Sequence, residues 1–174
     1  MTDEQVAALV DAMPFARLVG VELVAAAPGE VSGRLAWQPE RCTAGGVLHG
    51  AALVALADSL GALCAYLNLP AGAGTSTIEA KTNFFRAVRD GHVDAVARPL
   101  HVGRSTIVVQ TDLRDAKGRH VAQVTQTQSV LAPAGGGGSG GLESEASAQV
   151  EGGHAEPSGS PPVNRGPGAA QLGT

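Results

Sequence analysis

Aromatic side chains are scarce here: one tryptophan, one tyrosine and three phenylalanines in 174 residues. Trp37, Tyr66, Phe84 and Phe85 are too few for a cofactor platform and read as core or subunit contacts. Cysteine is scarcer still. Cys42 and Cys64 form neither a disulfide framework nor a C-x-x-C pair, and Cys64, inside an apolar run, reads as a small buried hydrophobe. His92, His101 and His120 fall near expected strand ends without metal-ligand spacing, so no metal is expected. Neither a dinucleotide nor a P-loop glycine motif occurs, so no cofactor is expected. Lys and Arg form no run or stripe, which argues against a nucleic-acid partner. The first residues bring Asp3 and Glu4 rather than a basic stretch ahead of an apolar core. No secretory signal is read there, and the cytoplasm is the expected compartment.

Glycine and proline are plentiful but concentrated. Residues 133–174 hold 12 of the 24 glycines and 5 of the 10 prolines, and no Phe, Trp or Tyr. Such a stretch cannot bury enough apolar surface to offset its ordering entropy, and it is expected to be a disordered tail. Residues 1–132 are then the folded domain, long enough for a core without disulfide or metal staples.

Within that domain the hydrophobic periods change along the chain. Residues 4–13 read as a short amphipathic helix, capped by Thr2 or Asp3 and ended or redirected by Pro14. Residues 19–26 and 30–37 read as a hairpin turning at Pro28-Gly29, and residues 38–48 as loop. Residues 51–69 are rich in Ala and Leu and poor in β-branched residues, which predicts a helix. It is apolar all round and so buried on nearly every side. Asp58 at its centre argues against a membrane span. Residues 75–85, 92–100, 105–114 and 120–131 read as four strands, with Asp90-Gly91 and Lys117-Gly118 at turns. The expected fold class is α+β, a long antiparallel curved sheet around one buried helix.

Asp58 is the only charged residue between His49 and Glu79. An ionised carboxylate in a buried helix costs on the order of several kcal/mol unless it is partnered or reaches water. It therefore either faces a solvent gap or caps a neighbouring strand, or serves as a general base or nucleophile at the floor of a cleft. A second signal is Gly46-Val47-Leu48-His49-Gly50 at the expected helix start, where backbone N–H groups and the helix dipole suit an oxyanion. Gly50 and Asp58 are eight residues apart, about 12 Å along a helix. That is too far to address one carbonyl carbon from one chain, so a catalytic reading requires two chains, one giving Gly50 and the other Asp58.

The stretch GGVLHGAALVALADSLGALC resembles the helix signature of the hotdog-fold thioesterases of the phenylacetate-pathway (PaaI-like) type, H-G-G with an acidic residue nine positions after the His. STIEAKTNFFRAV is similar to that family's T-x-E-x-K-x-N-F-x-R-P strand, and VGRSTIVVQTDLRDAKGRHVAQVTQT to its last two strands. The resemblance covers roughly residues 15–131. It implies a hotdog fold in a dimer or tetramer, with active sites shared across the dimer interface, and an acyl-CoA substrate.

By position, the resemblance makes Asp58 the carboxylate that activates water or attacks the thioester, with His49 as the signature histidine. Gly50 becomes the N–H donor to the thioester carbonyl, and Thr77 the hydroxyl that helps place the water, with Ser76 as its neighbour. Arg104 and Ser105 fall where members contact the CoA phosphates or pantetheine arm, and Arg86 is a further phosphate candidate. Thr43 departs from the pattern, standing where members usually carry Asn or Gln. Its shorter hydroxyl has no amide donor, which implies lower activity or a different water geometry. Ala51 and Ala87 replace the second glycine and the strand-end proline.

The expected activity is hydrolysis of a small aryl- or medium-chain acyl-CoA to the free acid and CoA. The alternatives are a non-catalytic acyl-CoA-binding module and a hotdog enoyl-CoA hydratase or dehydratase.

Overall fold

The computed structural model describes Ala8, Leu9 and residues 12–132. The tail expected from residue 133 lies outside the described residues, as does most of the helix expected over residues 4–13.

Alternating burial writes the sheet. In the strand Glu30–Ala36 (β2), Val31, Gly33 and Leu35 are buried while their neighbours are not. The same period of two runs through His92–Val102 (β4), Thr106–Asp115 (β5) and His120–Leu131 (β6). With Val21–Ala27 (β1) and Gly74–Phe84 (β3), they form one six-stranded antiparallel sheet in the order β1-β2-β4-β5-β6-β3. The central helix, Gly50–Tyr66, touches all six strands. Its Leu53, Leu56, Leu60 and Leu63 meet the inward side chains of the sheet in one core. Each fully buried leucine is worth roughly 1.5–3 kcal/mol of transfer free energy. The helix rides close to the sheet: a Cβ added at Gly33 would lie 2.8 Å from both the Leu60 side chain and the Glu22 carbonyl. A helix held against a curved antiparallel sheet is the hotdog arrangement.

Several local expectations need correction. Pro14 opens a helix, Pro14–Val19, because its missing N–H and fixed φ suit a first turn. Val19 belongs to that helix, so β1 begins two residues later than expected. The central helix ends at Tyr66 rather than residue 69. There the Asn68 side chain donates to the Cys64 carbonyl at 2.8 Å and the Pro28 carbonyl at 2.7 Å, tying the helix end to the β1–β2 turn. The loop after β2 contains a 3-10 turn, Pro39–Arg41, and a bridge between Cys42 and Leu48. Trp37 packs against the core, but Tyr66, Phe84 and Phe85 are more than half exposed. Cys64 is buried as expected, and burial pushes its thiol up to about 11. No helix among the described residues is long and apolar enough to cross a membrane.

Candidate active site

Asp58 sits midway along the central helix, half-buried, on the side facing β3 and β6. Two side chains address the same carboxylate oxygen. The Gln126 amide Nε2 donates to Asp58 Oδ1 at 3.2 Å and lies 3.5 Å from the Asp58 carbonyl oxygen. The Thr77 hydroxyl donates to Oδ1 at 3.4 Å. Behind them, Gln128 Nε2 donates to Thr77 Oγ1 at 2.7 Å, and the Thr75 hydroxyl donates its one proton to the Ser129 carbonyl at 2.8 Å while lying 3.2 Å from Gln128 Oε1. The pairing of β3 with β6 slips between Thr77 and Glu79, a bulge at the point where Thr77 turns toward the helix.

Sequence reasoning missed Gln126 and Gln128. Both are fully buried, at inward positions where the strand pattern calls for apolar residues. The available signal was the run from Ala122 through Val124 to Gln126 and Gln128, in which one strand face changes from apolar to amide.

The second centre is the start of the same helix. His49 is its N-cap, and Nδ1 accepts the Ala51 N–H at 2.9 Å, so this histidine shapes the turn. Gly50 is the first helical residue, and its N–H finds no acceptor among the described residues. With the helix dipole behind it, that N–H is suited to a developing negative charge. The Phe84 ring, from the end of β3, lies over Gly50, where a Cβ would come within 3.1 Å of it. Gly50, Phe84, Thr43 and Arg86 line one cleft of about 400 Å³. Thr43 is exposed and held by its main chain, which donates to the Val47 carbonyl at 2.8 Å and accepts the Gly46 N–H at 3.0 Å.

The expected residues therefore fall into separate groups. Asp58 and Thr77 are together, as are Thr43, Gly50 and Arg86, and the two groups lie about 12 Å apart along the helix. Ser76 is exposed, and its carbonyl accepts the Ser129 hydroxyl at 2.9 Å. Arg104 and Ser105 are exposed in the β4–β5 turn, where the Ser105 carbonyl accepts the Val130 N–H at 2.9 Å. Since Thr106 and Ser76 both pair with Ser129, that turn stands at the same end of the sheet as Thr75–Thr77. One turn beyond Asp58, a cleft of about 330 Å³ is lined by Leu9, Met13, Ala62, Leu63, Tyr66 and Thr75. Away from this site, hydrogen bonds from Arg34 and Arg119 hold Asp94 and Asp115 below their ordinary values.

The sequence profile described as the thioesterase superfamily matches residues 45–122. The 1,4-dihydroxy-2-naphthoyl-CoA hydrolase of Escherichia coli K12 is 36% identical over 86 residues, 49% of this chain and 63% of that protein. Across the curated relatives it matches, the chain spans between 51% and 65% of the relative's own length. Among solved structures, a mutant thioesterase PA1618 from Pseudomonas aeruginosa has a TM-score of 0.70 at 29% identity, covering 75% of this chain and 94% of that one. The conserved protein PA5202 from the same organism has a TM-score of 0.67 at 33% identity, covering 75% of this chain and 100% of that one.

Proposed function

Because the chain belongs to the thioesterase superfamily, we propose that it hydrolyses acyl-CoA thioesters at sites shared between two subunits. The observation that carries this reading is Asp58: a carboxylate on an otherwise apolar helix, with its donors gathered on Oδ1 and Oδ2 left open among the described residues. As general base, Asp58 takes a proton from water and the hydroxide adds to the thioester carbonyl. As nucleophile, it adds directly and water then opens the anhydride. In either case the Gly50 N–H receives the oxyanion, the C–S bond breaks as the carbonyl re-forms, and CoA leaves as a thiol after protonation.

The 12 Å between the two groups is bridged by a second copy. β3 is an edge strand of eleven residues whose outer side faces no strand among the described residues. Ile78 and Phe84 are exposed along it, and Phe85 just beyond its end. An unprotected edge of that length is a pairing surface. Thr77 adjoins Asp58 and Phe84 adjoins Gly50, so antiparallel pairing of two β3 strands about an axis between Ala80 and Lys81 sets Thr77 opposite Phe84 of the partner subunit. That brings Asp58 of one subunit to Gly50 of the other, twice per dimer.

The mostly apolar cleft one helical turn beyond Asp58 supports a small aryl or medium-chain acyl group. Arg104, Ser105 and Arg86 are the groups assigned to the CoA phosphates or pantetheine arm. The test is free-thiol release from a panel of aryl- and fatty-acyl-CoAs. Turnover is expected for apolar acyl groups that fit about 330 Å³. Acyl-CoA binding without thiol release would favour a binding module, with the short Thr43 hydroxyl as its cause. Hydration of crotonyl-CoA without loss of CoA would favour a lyase.

A further inference from the structure

The geometry points to Gln126 as a positioning residue for the hydrolytic reaction: it pins Asp58 Oδ1 so that Oδ2 faces the thioester. This role rests on the thioesterase reading above. The orientation of the amide is dictated chemically, because an ionised carboxylate and a backbone carbonyl only accept, and both lie on the Nε2 side of Gln126. The other side of the amide is closed. Gln126 Oε1 is buried without a donor among the described residues, and it lies against Gly61, where an added Cβ would overlap it. The amide is thus wedged between the Asp58 carboxylate and Gly61, where any larger residue would force the amide to move.

A buried amide oxygen without a partner destabilises the folded chain. For stability alone an apolar side chain would serve better at this inward position, as Ala122 and Val124 do on the same strand. The compensation lies at Asp58. Gln128 completes the arrangement by donating to Thr77 Oγ1, which leaves the Thr77 proton to Asp58 Oδ1. Both amides act through another residue; neither is placed to touch the substrate.

Replacing Gln126 by methionine keeps the length and volume and removes the donor. In the full chain, Gln126→Met is expected to lower kcat by about 10- to 100-fold, the scale of a misplaced reacting group, with KM within about threefold of the parent. Its thermal midpoint should equal or exceed the parent's. A loss of kcat that tracks a fall in thermal midpoint would make Gln126 merely structural and overturn the proposal. So would an unchanged kcat.

A second measurement needs no variant at Gln126. The side-chain amide proton signals of Gln126 should move when Asp58 is replaced by alanine, while those of Gln110, which donates to Asp112 at 3.2 Å, stay in place. Unmoved Gln126 signals would also overturn it. If the parent releases thiol and Gln126→Met matches it, this role alone is removed. A parent that hydrolyses no thioester removes the thioesterase reading and this role with it.

Discussion

Asp58→Ala is expected to lower kcat for acyl-CoA hydrolysis by about 10²–10⁴-fold, the usual range for deleting a positioned base. Alanine is the best helix former, so the central helix should persist. The methyl group leaves the Gln126 amide and the Thr77 hydroxyl without their shared acceptor. That costs on the order of 1–3 kcal/mol if no water replaces the carboxylate. Asp58 is only half-buried, so water can reach the position and the loss should be small. Asp58→Asn is the stricter control, since it keeps an oxygen for both donors and removes only the basic carboxylate. Far-ultraviolet circular dichroism and thermal midpoint should stay near the parent's in both variants. A rate unchanged in either would remove Asp58 from the chemistry.

Leu56→Ala carries the largest expected effect on stability. Leu56 is fully buried where the central helix meets the sheet, two residues before Asp58. Truncating such a leucine costs about 2–5 kcal/mol, from lost transfer free energy and the cavity left behind. The thermal midpoint should fall by roughly 10 °C. In urea the midpoint should drop with little change in slope, because the surface exposed on unfolding is nearly the same. Leu18, which is 81% exposed, is the contrast: Leu18→Ala should stay within about 0.5 kcal/mol of the parent. Equal, small effects at both positions would mean that the sheet does not grip the helix.

The long helix and the strands were legible because burial imposes a period that composition cannot hide. An Ala/Leu run without β-branched residues reads as helix, and Val31, Gly33 and Leu35 alternate inward as a half-buried strand must. Asp58 was legible for a related reason: one charge on an apolar helix stands out. The buried glutamines did not stand out, since in VAQVTQTQSV every second residue from Gln123 to Ser129 is also polar. Which of the two sets faced inward was settled by the pairing of β6 with β3 and β5. The short helix that Pro14 opens was not read, because proline is compatible with both the end of one helix and the first turn of the next. The exposed Phe84 and Phe85 could not be separated from core residues by composition, because an exposed aromatic and a buried one are the same residue type in the sequence.

A site shared between subunits, as proposed, can be tested directly with two variants that each spoil a different half. Gly50→Pro removes the N–H offered to the oxyanion at a position where proline suits a helix start, and the half-exposed Phe84 ring has room to yield. Asp58→Ala removes the carboxylate. Each variant alone should release almost no thiol from acyl-CoA. Unfolded together in equal amounts and refolded, they should form mixed dimers in which one of two sites joins an intact Gly50 to an intact Asp58. About a quarter of the parent rate should then return. A mixture as inactive as its components, with mixed dimers present, would contradict a site built from two chains.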